Sequence, residues 1–355
     1  MSDNPITRPP VHAWLAHCRP GMESAAAAEL DERARAAGIA SAYAIARPGE
    51  AWLRLVCADP AETAAMNRHL PQDYLFPRQV LREWHWLEGL PGKDRISPII
   101  ETLPGGSCFG GLQISVPDSN AGKGLSRFVR AFTPALRRAL KDKGIRLDAE
   151  GAPVLHLFFP DSTRVAVGSN QDPAEPAGGI QRLRMPSAAP SRSTLKLEEA
   201  LIRLMTPEER ETHLQPGMTA VDLGAAPGGW SWQMVRRHIH VTAVDNGPMA
   251  KSLLDSGLLD HVRGDGFTWQ PAAPVDWLLC DMVDKPARVA ARMGQWLQTG
   301  WARRVVFNLK LPMKRPWPVA RDLLAELRAR AGAGASLRAR QLYHDREEIT
   351  VLILP

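Results

Sequence analysis

The chain has 355 residues, a formal net charge of +6 and 45% hydrophobic residues, which is too long for one small core and basic enough to favour a polyanionic partner. Cys18, Cys57, Cys108 and Cys280 are scattered with no C-x-x-C pair. That excludes a disulfide framework or a cysteine zinc site and suits buried thiols in a reducing compartment. Residues 1–10 are polar and proline-containing, unlike a signal peptide, and no apolar run approaches the roughly 20 residues that span a bilayer, so a soluble, cytoplasmic protein is expected.

In chain order, residues 22–37 are rich in Ala and Glu and end near Gly38, predicting a helix. Strands are expected over 13–17, 42–45 and 51–56, and a second helix over 60–70. This order suggests a ferredoxin-like α+β module over 1–82. Trp84 and Trp86 alternate in a further strand over 82–87, the start of another layer, and are read as packing residues rather than base-stacking platforms. A short helix (95–101) and a strand (108–116) precede the most basic stretch. Residues 121–146 carry eight Lys/Arg against one Asp, an excess larger than the net charge of the whole chain. Leu125, Phe128, Val129, Phe132, Leu136 and Leu140 share one helical face, with Arg127, Arg130, Arg137, Arg138 and Lys141 largely off it. Thr133-Pro134 is expected to kink or restart the helix. Such a stripe can neutralise phosphates without reading sequence, or be a solvated face. A strand pair over 154–159 and 163–168 closes an 83–170 unit. Pro173, Pro176, Pro186 and Pro190 with Gly178 and Gly179 mark an interdomain linker over 171–192, in which Arg182 and Arg184 are placed to touch RNA.

From Ser193 onward helices and strands alternate. A helix over 195–205 with Ser193 or Thr194 as N-cap precedes strands over 219–223, 240–244, 261–263, 275–280 and 304–309. Helices follow over 230–237, 288–299 and 318–331, and an antiparallel pair over 337–343 and 348–354 ends the chain. The fold class expected is α/β, a doubly wound, mostly parallel sheet with one antiparallel strand, occupying 193–355. The first strand runs into Asp222-Leu-Gly-Ala-Ala-Pro-Gly-Gly-Trp230, a strand–glycine turn–helix that leaves backbone N–H groups facing a ligand. Its spacing is not G-x-G-x-x-G, and Pro227 removes a donor that a pyrophosphate would use. Asp222, Asp245, Asp265 and Asp281 fall at strand ends, where ligands bind in such sheets. Asp245 is placed for the two hydroxyls of a ribose and Asp265 for an adenine amino group, although both are also common turn residues. Together with a phosphate-averse loop they point to S-adenosyl-L-methionine. Lys310 ends the fifth strand, with Lys196, Asp281 and Glu348 able to reach the same edge. A lysine there is a base only if burial or a neighbouring cation lowers its pKa from about 10.4; otherwise it is a surface residue.

These residues carry a resemblance. Asp222–Trp230 with Lys196, Asp281, Lys310 and Glu348 resembles the FtsJ/RrmJ-type ribose 2′-O-methyltransferases and their Lys-Asp-Lys-Glu tetrad. The segments 190–200, 244–249, 280–282, 307–314 and 341–348 are most similar to one branch, the bacterial 23S rRNA cytidine 2′-O-methyltransferases M (RlmM). The resemblance implies a Rossmann-like methyltransferase domain over 193–355, preceded by a THUMP-like RNA-binding domain at 83–170. It implies Lys310 as acceptor of the ribose 2′-hydroxyl proton, positioned by Lys196, Asp281 and Glu348, with Glu347 the neighbouring alternative. Ser193, Ala226, Pro227, Gly228, Gly229, Asp245, Asp265 and Asp281 would contact the cofactor. No metal is needed for a displacement whose leaving group departs neutral. The expected partner is 23S rRNA, naked or in an early assembly intermediate, bound by a monomer without a membrane, with Lys314, Arg315 and Arg321 available for its backbone. Methylation of another RNA (tRNA or a cap) and an RNA-binding protein with an inactive methyltransferase fold remain alternatives. An NAD-dependent oxidoreductase is disfavoured by Pro227 and the glycine spacing.

Overall fold

The computed structural model describes residues 11–69, 73–170 and 172–355. Residues 1–10, Leu70 at the end of the second expected helix, and Gln171 at the start of the expected linker lie outside the described residues. The chain divides into two compact units, Met1–Ile180 and Gln181–Pro355.

The first unit runs β1 (Ala13–His17), α1 (Glu23–Ala36), β2 (Tyr43–Ala46), β3 (Trp52–Val56), α2 (Pro60–Arg68), β4 (Gln79–Leu87), α3 (Ile96–Thr102), β5 (Leu112–Ser115), α4 (Asn120–Asp142), β6 (Val154–Phe158) and β7 (Val165–Asn170). One seven-stranded sheet, in the order β2-β3-β1-β4-β7-β6-β5, takes in all of its strands. Each neighbouring pair is antiparallel except β5 and β6. Residues 82–87 therefore do not begin another layer. They lie in the middle strand, which bonds β1 on one side and β7 on the other, so the sheet is continuous across position 82/83. The reason is burial on both sides: Val80, Leu81 and Trp84 have almost no solvent exposure. Trp84 packs beside Phe109, while Trp86 stacks on Trp52 at 5.6 Å under the Arg54 guanidinium. Both are packing residues.

Helix α4 buries Phe132, Leu136 and Leu140 and leaves Arg127, Arg130, Arg137, Arg138 and Lys141 exposed. It neither stops nor restarts at Pro134. Pro134 lies on the exposed side, where water can satisfy the carbonyl its missing N–H abandons, and the Thr133 hydroxyl donates to the Val129 carbonyl at 2.8 Å. The strand expected over 108–116 shortens to β5, with Cys108 making only an isolated bridge to Arg146. The first residues of the expected linker pack into this unit. Glu175 is buried, accepting from the Tyr74 hydroxyl at 3.0 Å and the Gln79 amide at 3.2 Å, and a single turn at Ala177–Gly179 follows.

The second unit runs α5 (Thr194–Leu204), α6 (Pro207–His213), β8 (Thr219–Leu223), α7 (Gly229–Val235), β9 (His240–Val244), α8 (Lys251–Leu254), β10 (Leu259–Val262), β11 (Val275–Cys280), α9 (Pro286–Gln298), β12 (Ala302–Lys310), α10 (Pro316–Ala331), β13 (Ser336–Arg340) and β14 (Glu348–Leu354). Its sheet order is β10-β9-β8-β11-β12-β14-β13. Strands β8 to β12 are mutually parallel, and β14 runs antiparallel to both of its neighbours, β12 and β13. Leu197, Ala200, Leu201 and Leu204 repeat at helical spacing and bury the inner face of α5. Helix α6, absent from the sequence reading, starts with a capping box between Thr206 and Glu209. Glu209 also takes a bidentate contact from Arg338 of β13, at 2.6 Å for each nitrogen, and this pairing holds its carboxyl down at about 2. No helix among the described residues is long and apolar enough to cross a membrane.

Candidate active site

Because β8, β9 and β11 run the same way, their carboxyl ends open on one edge of the sheet, and a crevice forms between the turns that leave them. After β8 the turn holds Gly224 at φ +76° and Gly228 at φ +108°, conformations that a side chain would strain. The Ala226–Pro227 bond is cis. A Cβ on Gly229 would come within 2.1 Å of the Ser193 hydroxyl, so glycine there lets the start of α5 approach the turn. The resulting cleft has a volume of about 270 Å³, and Ser193, Asp222, Ala226, Pro227, Trp230 and Asp281 are among the residues lining it. Ser193 occupies the N-cap position of α5 without capping it: its hydroxyl pairs with that of Ser191 at 2.7 Å. Thr194 is no cap either, since its hydroxyl donates to the Gly229 carbonyl at 3.0 Å.

The strand-end acids separate into different environments. Asp222 is fully buried, and burial pushes its carboxyl up to about 7 although the Ser231 hydroxyl donates to it at 2.6 Å. Asp222 Oδ1 and the Trp230 indole N–H are both buried with no hydrogen-bond partner among the described residues. Asp245 ties its strand end to the glycine turn: Oδ2 accepts from the Ala226 N–H at 3.0 Å and Oδ1 from the Gly247 N–H at 2.7 Å. Each of these oxygens keeps a second lone pair. Asp265 is exposed, accepts from the Phe267 N–H at 2.9 Å, and is not among the residues lining the cleft.

Beside the cleft, Lys196 on α5 lies 3.4 Å from Asp281 Oδ1 and 3.5 Å from Glu348 Oε1. Burial alone would lower the Lys196 pKa, but Asp281, Glu348 and Asp345 together outweigh it and raise it, so the ammonium is held charged. Burial raises the Asp281 carboxyl despite the opposing pull of Lys196 and Asn308. Glu348 is held below the usual carboxylate range: burial acts against this, but the Arg346 N–H and Lys196 prevail. Lys310 stands opposite Glu348 in the β12–β14 register. Its ammonium is half exposed and turns toward Glu347 at 3.8 Å. Three of the four residues, Lys196, Asp281 and Glu348, thus meet through their charged atoms, and Lys310 joins them through strand register. Glu348, rather than Glu347, reaches Lys196.

A second layer was not singled out from sequence. The Asn308 amide donates to Asp281 Oδ1 at 2.8 Å, and its oxygen lies 2.7 Å from the Thr350 hydroxyl, itself 3.0 Å from the buried Asp345. Glu199, one turn after Lys196, is buried and accepts from the backbone N–H groups of Tyr343 (2.8 Å) and His344 (2.9 Å), which holds the 341–347 turn that leads into Glu348. The available signal was strand alternation. Asn308 and Lys310 share a face of β12, and an amide buried in its apolar stretch 305–309 needs partners.

Three family models match the chain: the RlmM ferredoxin-like domain over 11–81, the N-terminal domain of ribosomal RNA large subunit methyltransferase M over 94–171, and FtsJ-like methyltransferase over 189–293. The ribosomal RNA large subunit methyltransferase M of Xanthomonas axonopodis pv. citri is 48% identical over 344 residues, covering 96% of this chain and 98% of its own. That of Xanthomonas oryzae pv. oryzae (strain MAFF 311018) is 47% identical with the same coverage. Among solved structures, TrmN from Thermus thermophilus covers 96% of this chain and 99% of its own at 15% identity and a TM-score of 0.32. The 47–48% identity to the two Xanthomonas proteins along almost the whole length leaves one assignment: the chain belongs to the ribosomal RNA large subunit methyltransferase M family.

Proposed function

We propose that this protein transfers a methyl group from S-adenosyl-L-methionine to the ribose 2′-hydroxyl of a cytidine in 23S rRNA. The coarser part, an S-adenosylmethionine-dependent methyltransferase acting on large-subunit rRNA, follows from the family and from its relatives' names. The observation that carries the chemistry is the meeting of Lys196, Asp281 and Glu348 at the carboxyl edge of the sheet, with Lys310 in register beside them.

The cleft suits a cationic ligand without phosphate. Among the described residues Asp222 and Asp281 line it and no Lys or Arg does, and a buried carboxylate oxygen and an indole N–H there have no partner among them. Ser193, Ala226 and Pro227 line the cleft in which the cofactor would lie; Gly228 and Gly229 would continue the contact along the turn, with Asp245 for its ribose and Asp265 for its adenine. When bound, S-adenosylmethionine supplies an electrophilic methyl on a sulfonium. The chain's own work is to align and to move one proton. Lys310 accepts that proton from the 2′-hydroxyl in its neutral form. Lys196, kept charged by Asp281 and Glu348, is the fixed positive charge at this edge. The 83–170 segment, read as a THUMP-like RNA-binding domain after the 1–82 ferredoxin-like module, would use the exposed arginines of α4 on RNA phosphates. Arg182 and Arg184 in the 171–192 linker, and Lys314, Arg315 and Arg321, would hold more backbone, the protein acting as a monomer on naked rRNA or an early assembly intermediate.

Ribose-methylation mapping in cells lacking the protein, with tritium transfer to undermethylated 23S rRNA, tRNA and capped RNA in vitro, tests this reading. One lost 2′-O-methylcytidine in 23S rRNA is expected. Transfer to tRNA or cap alone would overturn the substrate, and transfer to a base would overturn the site.

A further inference from the structure

A chain of hydrogen-bonding side chains leads inward from Lys196 and Asp281 to Asn308, Thr350 and Asp345, three buried residues to which neither the resemblance nor the relatives assign a role. From the interior outward it runs Asp345, Thr350, Asn308, Asp281 and Lys196, with successive separations of 3.0, 2.7, 2.8 and 3.4 Å. Asp345, Thr350 and Asn308 are each at most 2% exposed, so water does not compete for these bonds. We propose that Thr350 and Asn308, anchored by Asp345, are positioning residues that fix the Asp281 carboxylate in the orientation that receives Lys196. This inference rests on the proposed methyl transfer and extends it to residues that touch neither cofactor nor ribose.

The chemistry of each member fits its place. An amide is the neutral side chain that both accepts from a hydroxyl and donates to a carboxylate, and Asn308 does both. The alternative orientation would set its oxygen against Asp281, acceptor to acceptor. Asp281, an acceptor only, thus decides which way the amide lies, and the Thr350 hydroxyl holds it there by donating to Asn308 Oδ1. That hydroxyl has one hydrogen and two oxygen neighbours, so the polarity of the chain is complete when Asp345 carries a proton. Burial pushes Asp345 well above the usual carboxylate range. The Leu342 N–H, Lys196 and Thr350 pull the other way and Glu199 reinforces it. Strand pairing holds the relay in place, because Asn308 and Thr350 are cross-strand partners in the β12–β14 ladder, one step inside Lys310 and Glu348.

Kinetics and cofactor binding of the full chain test the relay in Thr350→Val, Thr350→Ser and Asn308→Asp. Thr350→Val keeps the shape and deletes the hydroxyl. It should lower kcat by about 10- to 100-fold through misplacement of Asp281, while calorimetric affinity for S-adenosylmethionine and KM for RNA stay within about threefold. Thr350→Ser restores the hydroxyl and should recover most of kcat despite its lost methyl group, which a packing role would not allow. Asn308→Asp, of nearly equal volume, sets an acceptor against Asp281 and should lose at least as much; it replaces the valine variant if that one does not fold. Wild-type kcat in Thr350→Val or Asn308→Asp, or equal losses in the serine and valine variants, overturns the relay and leaves the methyltransferase reading standing. A wild-type protein that transfers no methyl to ribose sinks both.

Discussion

Each half of the molecule builds a seven-stranded sheet, and each buries polar side chains near its centre, yet they put those side chains to different use. In the first unit His17, Ser115 and His156 meet at 3.0 and 2.7 Å inside the sheet's packing, and burial drives both imidazoles toward the neutral form, His156 to about 3. Glu83 is likewise sealed against Arg54. In the second unit the buried Asp222 and the partly buried Asp281 line an open cleft. Strand direction accounts for the contrast. Antiparallel neighbours, all of its pairs but β5–β6, alternate their ends, so the first sheet gathers no row of carboxyl ends into a crevice and its polar groups are packed as struts. Five parallel strands point their carboxyl ends one way and leave a crevice there. A buried charge therefore reads as a strut in the first sheet and as a candidate working group in the second.

Four experiments would sharpen or break that contrast. The largest effect is expected at Lys310: Lys310→Ala should cut methyl transfer by about 10²- to 10⁴-fold, with cofactor and RNA affinities nearly unchanged by calorimetry and filter binding. Retained activity would remove the second sheet's claim to the chemistry. In the first sheet, Glu83→Ala strands the Arg54 guanidinium and should cost about 3–5 kcal/mol in urea unfolding. A neutral result would mean the pair is not the strut its burial implies.

A smaller effect, readable as a slope, is expected at Asp222. Its carboxyl sits at about 7 in the folded chain against an ordinary value of 3.8. The folded state thus keeps a proton that the unfolded state releases sooner, and this group's contribution to stability is intact below about pH 4 and lost as pH rises through about 7. Asn cannot ionise, so the Tm of Asp222→Asn should gain on the wild type from about pH 4 to 7 and level off above. A constant difference would place the charge elsewhere. The smallest effect is expected on α4, where Arg137→Ala should weaken binding to all RNA sequences alike and reduce the salt-dependence slope by about one. An unchanged slope would make that face a solvated surface.

Local patterns carried much of this architecture. The glycine turn from Asp222 to Trp230, the apolar spacing of α5 and the one-sided arginines of α4 are legible because each is set by neighbours within a turn or two of chain. Lys196, Asp281, Lys310 and Glu348 could be named, but not how they meet. Asp345 reads as a turn residue, Glu199 as one acid among several on a helix, and Asn308 as an interruption of an apolar strand. Pro134 reads as a helix breaker until its exposed position is known, and α6 is too short for periodicity to reveal.

What the sequence by itself determined is which faces are apolar, where strands and helices start, and the composition of the ligand-facing turns. Tertiary structure alone decided how Glu348, the glutamate chosen from sequence, meets Lys196, that a central strand joins both parts of the first sheet, and that Asn308, Thr350 and Asp345 line up behind Asp281. The physical reason is register. Side chains on a strand alternate between faces, so a slip of one residue between β14 and β12 would exchange Glu348 for Glu347 and pull Thr350 away from Asn308. That register depends on contacts from residues far away in the chain, such as Glu199 gripping the turn before β14.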